Sequence, residues 1–88
     1  MYKAVHSRKL EKIIRRLFKK DSALLQRLIL KIEWIVENPS KSQKFLKHDL
    51  KGANRVHIGH YVLVFEVDDA GKKVYFLDFE HHDNVYEK

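Results

Sequence analysis

The sequence predicts an α+β domain, a small and mainly antiparallel sheet packed against an N-terminal helical hairpin, in the order β-α-α-β-β-β. Three observations lead there. Between Arg8 and Val36 apolar residues recur with helical period in two consecutive blocks. After Gly52 the pattern changes to short strand-like runs separated by glycine-containing turns. The length of 88 residues is enough for one core and too little for two, so residues 1–88 are read as a single domain.

Tyr2 to His6 alternates and is too short for a helix, so it is read as the first strand, with Ser7 placed to cap a helix beginning at Arg8. From Arg8 to Lys20, Leu10, Ile13, Ile14, Leu17 and Phe18 form an apolar stripe, and Arg8, Lys12, Arg15, Arg16 and Lys19 an opposite basic face. Asp21-Ser22 breaks the pattern and caps a second helix. Its core stripe is read as Leu25, Leu28, Ile29, Ile32, Ile35 and Val36, and it ends at Asn38-Pro39. At about 100° per residue Leu30 and Trp34 fall off that stripe, one turn apart and beside Arg27. They are either partner contacts or the second apolar side of a wedged helix.

Ser40 to Leu50 is lysine-rich, with Phe45, Leu46 and Leu50 as anchors, and is read as a loop closed by Gly52. Strands are expected at 54–58, 60–67 and 73–80, separated by Gly59 and by Asp68-Asp69-Ala70-Gly71. Val62-Leu63-Val64-Phe65 is apolar throughout, which predicts a central strand covered on both faces. The helical hairpin then covers one face of the sheet and leaves the other for function.

Composition narrows the class. Hydrophobic residues at 44% and charged residues at 34% exclude a disordered chain, and no stretch approaches the roughly 18 apolar residues of a membrane span. The lack of cysteine removes disulfides, thiolate metal ligands and cysteine nucleophiles. Basic residues interrupt the apolar positions of Met1 to Lys20, unlike a signal peptide, so an intracellular, cytoplasmic location is expected. The net charge of +6 is uneven: residues 1–51 hold 14 Lys/Arg against 5 Asp/Glu, residues 52–88 hold 4 against 7. The basic half is suited to a polyanion or an acidic partner, although a solubilising surface has the same balance.

Two stretches carry candidate chemistry. If Gly59 and His60 form a hairpin bend, Ile58 pairs with Tyr61, His57 with Val62 and Val56 with Leu63, so Arg55, His57, Val62 and Val64 share a face. The second stretch, "EHHDNVY" from Glu80 to Tyr86, comes directly after the last strand. With His48 there are five histidines in the C-terminal 41 residues. A side chain of unperturbed pKa about 6.5 both accepts and donates protons near neutrality. Three readings are open. One is acid–base cleavage of a phosphodiester, which needs two proton-transfer groups and a cation such as Arg55. Another is a metal site from His57, His81, His82 and Asp83, weakened because adjacent strand residues point to opposite faces. The third is structural, with histidines tolerated at bends and exposed ends.

The element order and the strings "LKGANRVHIGHYVLVFEVD" and "KVYFLDFEHHDNVY" resemble the RelE/ParE superfamily of toxins from type II toxin–antitoxin modules. The matching positions are Leu50-Lys51-Gly52, Arg55, Gly59, Tyr61, Val85 and Tyr86. The departures are Asn54 for an aromatic residue, His57 for a basic one, Val62 for a hairpin arginine, and His82 where arginine is frequent. "HDLKG" and "HIGHYVLVF" are similar to the YafQ-like branch, which uses several histidines and an aspartate.

The resemblance implies a metal-independent endoribonuclease without a cofactor, acting on messenger RNA and often on the ribosome. In that expectation Arg55 holds the scissile phosphate, His57 and His82 exchange protons with the 2′- and 5′-oxygens, and His48 and Tyr86 position RNA or substitute in proton transfer. Lys47, Lys51, His60 and His81 join Arg55 in binding RNA. The resemblance also implies neutralisation by an acidic antitoxin, expected at Leu30, Trp34, Arg15, Arg16 and Lys19. A rival from another class is a ParE-like toxin that inhibits a DNA topoisomerase by protein contact, or a catalytically decayed relative.

Overall fold

The computed structural model describes residues 2–40, 47–48 and 53–83. Their elements are β1 (Lys3–His6), α1 (Arg8–Lys20), α2 (Ser22–Glu37), β2 (Lys47–His48), β3 (Asn54–Ile58), β4 (Tyr61–Asp68) and β5 (Lys73–His81). The five strands form one sheet in the order β1-β5-β4-β3-β2. The β1–β5 pair runs parallel and the other three pairs antiparallel. The α+β class, the helical hairpin and the central place of β4 agree with the sequence expectation.

Ser7 fastens the start of α1 to the sheet. Its Oγ accepts from Leu10 N at 3.1 Å, satisfying one free helix-start N–H, and donates to the Leu77 carbonyl at 2.6 Å. Its backbone N–H also reaches the Phe76 carbonyl at 3.0 Å. Ser7→Ala is expected to cost about 1–2 kcal/mol, read as a lower urea midpoint with unchanged m-value. Asp21 serves both helices. Its N–H closes α1 on the Leu17 carbonyl, and its Oδ1 accepts from Leu24 N at 3.1 Å to open α2.

The core lies between the helical hairpin and one sheet face. Leu10 and Ile13 of α1 and Leu24, Leu25, Leu28, Ile32 and Ile35 of α2 pack with Val56, Ile58, Leu63, Phe65, Val74, Phe76 and Phe79. Phe76 and Phe79 are three residues apart, so a regular strand would turn one of them away. A bulge resolves this: Val64 pairs with Asp78 but Phe65 with Phe76, leaving Leu77 extra on β5. Both phenylalanines then face the helices.

Four expectations are corrected. Ile29 is 42% exposed because the buried arc of α2 runs through Leu24 and Leu25, placing Ile29 just past its edge. Phe18, at 67%, is likewise outside, in the last turn of α1. The segment 40–50 is not all loop: Lys47 pairs with Arg55 and His48 with Asn54. A strand of two residues is too short to leave a periodic signal. Finally β4 starts at Tyr61 rather than His60, since Gly59 and His60 make the turn, and β5 extends to His81. Among the described residues no helix is long and apolar enough to cross a membrane.

Candidate functional site

The β3–β4 hairpin has the register that the sequence implied: Ile58 opposite Tyr61, His57 opposite Val62, Val56 opposite Leu63 and Arg55 opposite Val64. Directly opposed residues share a face, so Arg55 and His57 lie together on the face turned away from the core. Gly59 makes the turn with φ of +62°, a backbone region where a side chain costs about 1–2 kcal/mol. An added Cβ would also stand 3.3 Å from the Arg27 guanidinium of α2. Gly59→Ala is therefore expected to lower stability by about 1–2 kcal/mol in denaturant titration.

At the end of β5 the chain passes under this hairpin, with His82 N donating to the His60 carbonyl at 2.7 Å. That bond brings the His82 ring beside His57, with centroids 5.5 Å apart and planes at 33°. The two histidines come from segments 25 residues apart in sequence and meet only because β3, β4 and β5 are neighbours. Asp83 Oδ1 is 3.6 Å from His82 Nδ1, within ion-pair reach when the ring is protonated.

Val62 lies between them in the sheet, opposed by His57 on one side and Glu80 on the other. It is fully buried yet stands apart from the helix-side core, so the floor of this face is apolar. Lys9 Nζ contacts both Asp78 and Glu80 at 3.0 Å. These two hydrogen bonds hold the Lys9 ammonium above its ordinary pKa. One ammonium from α1 thus offsets part of the negative charge of the two carboxylates beside the site.

His81 points the other way. Its ring stacks on His60 at 6.2 Å and meets Tyr61 edge-on at 5.5 Å, while Tyr61 stacks on Phe79 at 5.1 Å. Tyr61, Phe79 and His81 border a groove of about 480 Å³ whose far wall carries Lys12, Arg16 and Lys20 of α1. The predicted RNA-contacting pair His60 and His81 therefore stays together, and Asp83 stands between it and the other pair, with Oδ2 3.7 Å from His81 Nδ1 and Oδ1 3.6 Å from His82 Nδ1. Among the described residues no three His, Asp or Glu side chains group as a metal site.

The five residues expected to meet a partner are spread over separate surfaces. Leu30 and Trp34 border a groove with Arg27, Lys31, His57 and Ile58. Arg16 belongs to the groove beside Tyr61 and His81, and Arg15 to an apolar groove with Ile14 and Ile29 at β1. Lys19 is exposed on α1. Lys47 and His48 belong to β2 by backbone pairing; Lys51 and Tyr86 lie outside the described residues. Sequence reasoning missed Lys31, Lys9 and the pairing of Lys9 with Glu80. Lys31 was detectable as the residue one turn after Arg27, but Lys9 and Glu80 meet only through the fold.

Comparison with known proteins agrees with this architecture. Residues 5–86 match the family described as ParE toxin of type II toxin-antitoxin system, parDE. A Methanocaldococcus jannaschii protein named "Putative toxin RelE4" is 44% identical over 89 residues, covering 100% of this chain and 94% of its own. A Methanosarcina mazei protein of uncharacterized function is 39% identical over 72 residues, 81% of this chain and 83% of its own. Among solved structures, the Mycobacterium tuberculosis RelBE2 toxin-antitoxin complex aligns with TM-score 0.71 at 20% identity, over 91% of this chain and 96% of that one. The archaeal RelE-RelB complex of Pyrococcus horikoshii gives 0.71 at 17%, over 92% and 94%. Those two likenesses speak for the fold; the family match over nearly the whole chain and the 44% relative speak for the kind of protein. The chain belongs to the ParE toxin family of type II toxin–antitoxin systems, within the RelE/ParE superfamily.

Proposed function

We propose that this toxin is a metal-independent endoribonuclease that cleaves messenger RNA, on the ribosome, and that an acidic antitoxin silences it. The observation that carries the reading is the His57–His82 pair, 5.5 Å between ring centroids, on the sheet face that also bears Arg55. One imidazole takes the proton of a ribose 2′-hydroxyl, and that oxygen attacks the adjacent phosphorus. The P–O5′ bond breaks as the second, protonated imidazole delivers its proton to the leaving 5′-oxygen. Arg55 balances the charge that builds on the phosphorane oxygens. His48 and Tyr86 assist by positioning RNA, with Lys47 and Lys51 on its phosphates.

The basic face of α1, with Arg15, Arg16 and Lys19, suits the acidic antitoxin by charge. The relatives of known structure are toxin-antitoxin complexes, which supports such a partner. RNA incubated with the purified chain and a chelator should give fragments ending in a 2′,3′-cyclic phosphate. Loss of cleavage in chelator with recovery on adding metal would overturn the metal-independent reading.

A second reading is favoured by the ParE description of the family and by Val62, an apolar residue at the position where the resemblance leads one to expect a hairpin arginine. In it the chain arrests growth by contact with a DNA topoisomerase. Growth arrest with intact messenger RNA and blocked supercoiling would select it.

A further inference from the structure

Trp34 is the only tryptophan of the chain, and it is 41% exposed on the side of α2 nearest β3. An indole left half in water forgoes a large part of its burial energy, so its surroundings bear on its use. It borders a groove of about 420 Å³ with Arg27, Leu30, Lys31, His57 and Ile58. Lys31 Nζ stands 5.7 Å from the ring centroid, and the Arg27 guanidinium lies against the Gly59 turn. The groove thus joins an aromatic ring that has the Lys31 ammonium over its face to a second cation, Arg27, and its remaining polar wall is His57, one of the two paired histidines. Among the described residues no carboxylate borders it.

This combination fits one nucleotide better than it fits a protein helix. Bases of every kind present a π-face, and an aromatic ring beside a basic track is how proteins hold single-stranded nucleic acid without reading its sequence. A docked antitoxin helix would need a continuous apolar strip, whereas the exposed apolar residues here are Leu30 and Trp34, with Ile29 and Phe18 on other surfaces. We infer that Trp34 is a stacking platform for a base next to the scissile phosphate, with Arg27 and Lys31 holding the flanking phosphates. The inference rests on the ribonuclease reading and extends it: the RNA runs from the histidine pair onto the α2 side of the hairpin. It assigns Trp34 to substrate binding rather than to the antitoxin.

Because Trp34 is the sole tryptophan, its emission reports the event directly. The probe is a short mixed-sequence RNA, fully 2′-O-methylated so that no 2′-hydroxyl can attack, with a label for anisotropy. Emission should be quenched with the same midpoint as the anisotropy rise. An abasic oligonucleotide of equal length should bind more weakly and leave the emission unchanged. Trp34→Ala should weaken binding about 5- to 150-fold, while Trp34→Phe, which keeps a stacking ring, should lose much less. Far-UV circular dichroism checks that both variants fold. On cleavable RNA, Trp34→Ala should raise KM with little change in kcat.

Binding without a change in emission, or equal behaviour of the abasic probe, would overturn the inference while leaving the ribonuclease reading intact. So would normal KM in Trp34→Ala. Failure to bind or cleave any RNA would sink both. An emission change produced by an acidic antitoxin peptide and not by RNA would overturn the inference and give the groove to the antitoxin.

Discussion

Alanine at either His57 or His82 is expected to lower RNA cleavage about 100- to 10,000-fold, the usual worth of a proton-transfer group, and alanine at both to lower it little further. The two losses should not multiply. Attack and departure belong to one displacement, so a site lacking one partner gains little from keeping the other. Arg55→Lys keeps a cation but gives up the planar fork suited to two phosphate oxygens, and on the proposed role should fall well below wild type. Single-turnover rates on a defined RNA measure all of these. Cleavage unchanged by the double substitution would remove the pair from the chemistry.

Phe65→Ala is the largest structural effect expected, about 3–5 kcal/mol from lost burial and the cavity left behind. Phe65 is fully buried on the central strand and its ring lies 5.9 Å from that of Phe76, which the bulge at Leu77 turns toward the helices. Domains of this size have about 5–15 kcal/mol of stability in all, with small ones near the low end. Much of the variant should therefore be unfolded near physiological temperature, read by thermal melts. Val62→Ala, a smaller deletion outside the helix-side core, should cost less.

The histidine pair and the phenylalanine core differ in how far sequence alone could reveal them. The hairpin was legible because Gly59 fixes a two-residue turn, and once the turn is fixed, alternation dictates that Arg55 and His57 share a face. The pairing of His57 with His82 was reachable only through family likeness, because nothing local says how β5 ends relative to the hairpin. The bulge was not legible either: the awkward spacing of Phe76 and Phe79 is resolved by pairing with β4. On α2, periodicity gave the buried stripe, yet Ile29 and Leu24 changed places relative to expectation because the stripe is narrower than the apolar content of the helix. Helical angle likewise set Leu30 and Trp34 apart from the core without showing that His57 stands next to them.

The parallel pairing of β1 with β5 governs when the toxin comes into being. Ser7 bonds to Leu77 across 70 residues, so the first strand has no sheet partner until β5 has been made. Closing so long a loop delays the last step of folding, while the helical hairpin, built from near neighbours in sequence, can form early. The face carrying His57 and His82 also waits on β5, because that strand, paired with β4, delivers His82 beside the hairpin. A chain that stops short of β5 therefore has neither a partner for its first strand nor the second histidine of the pair.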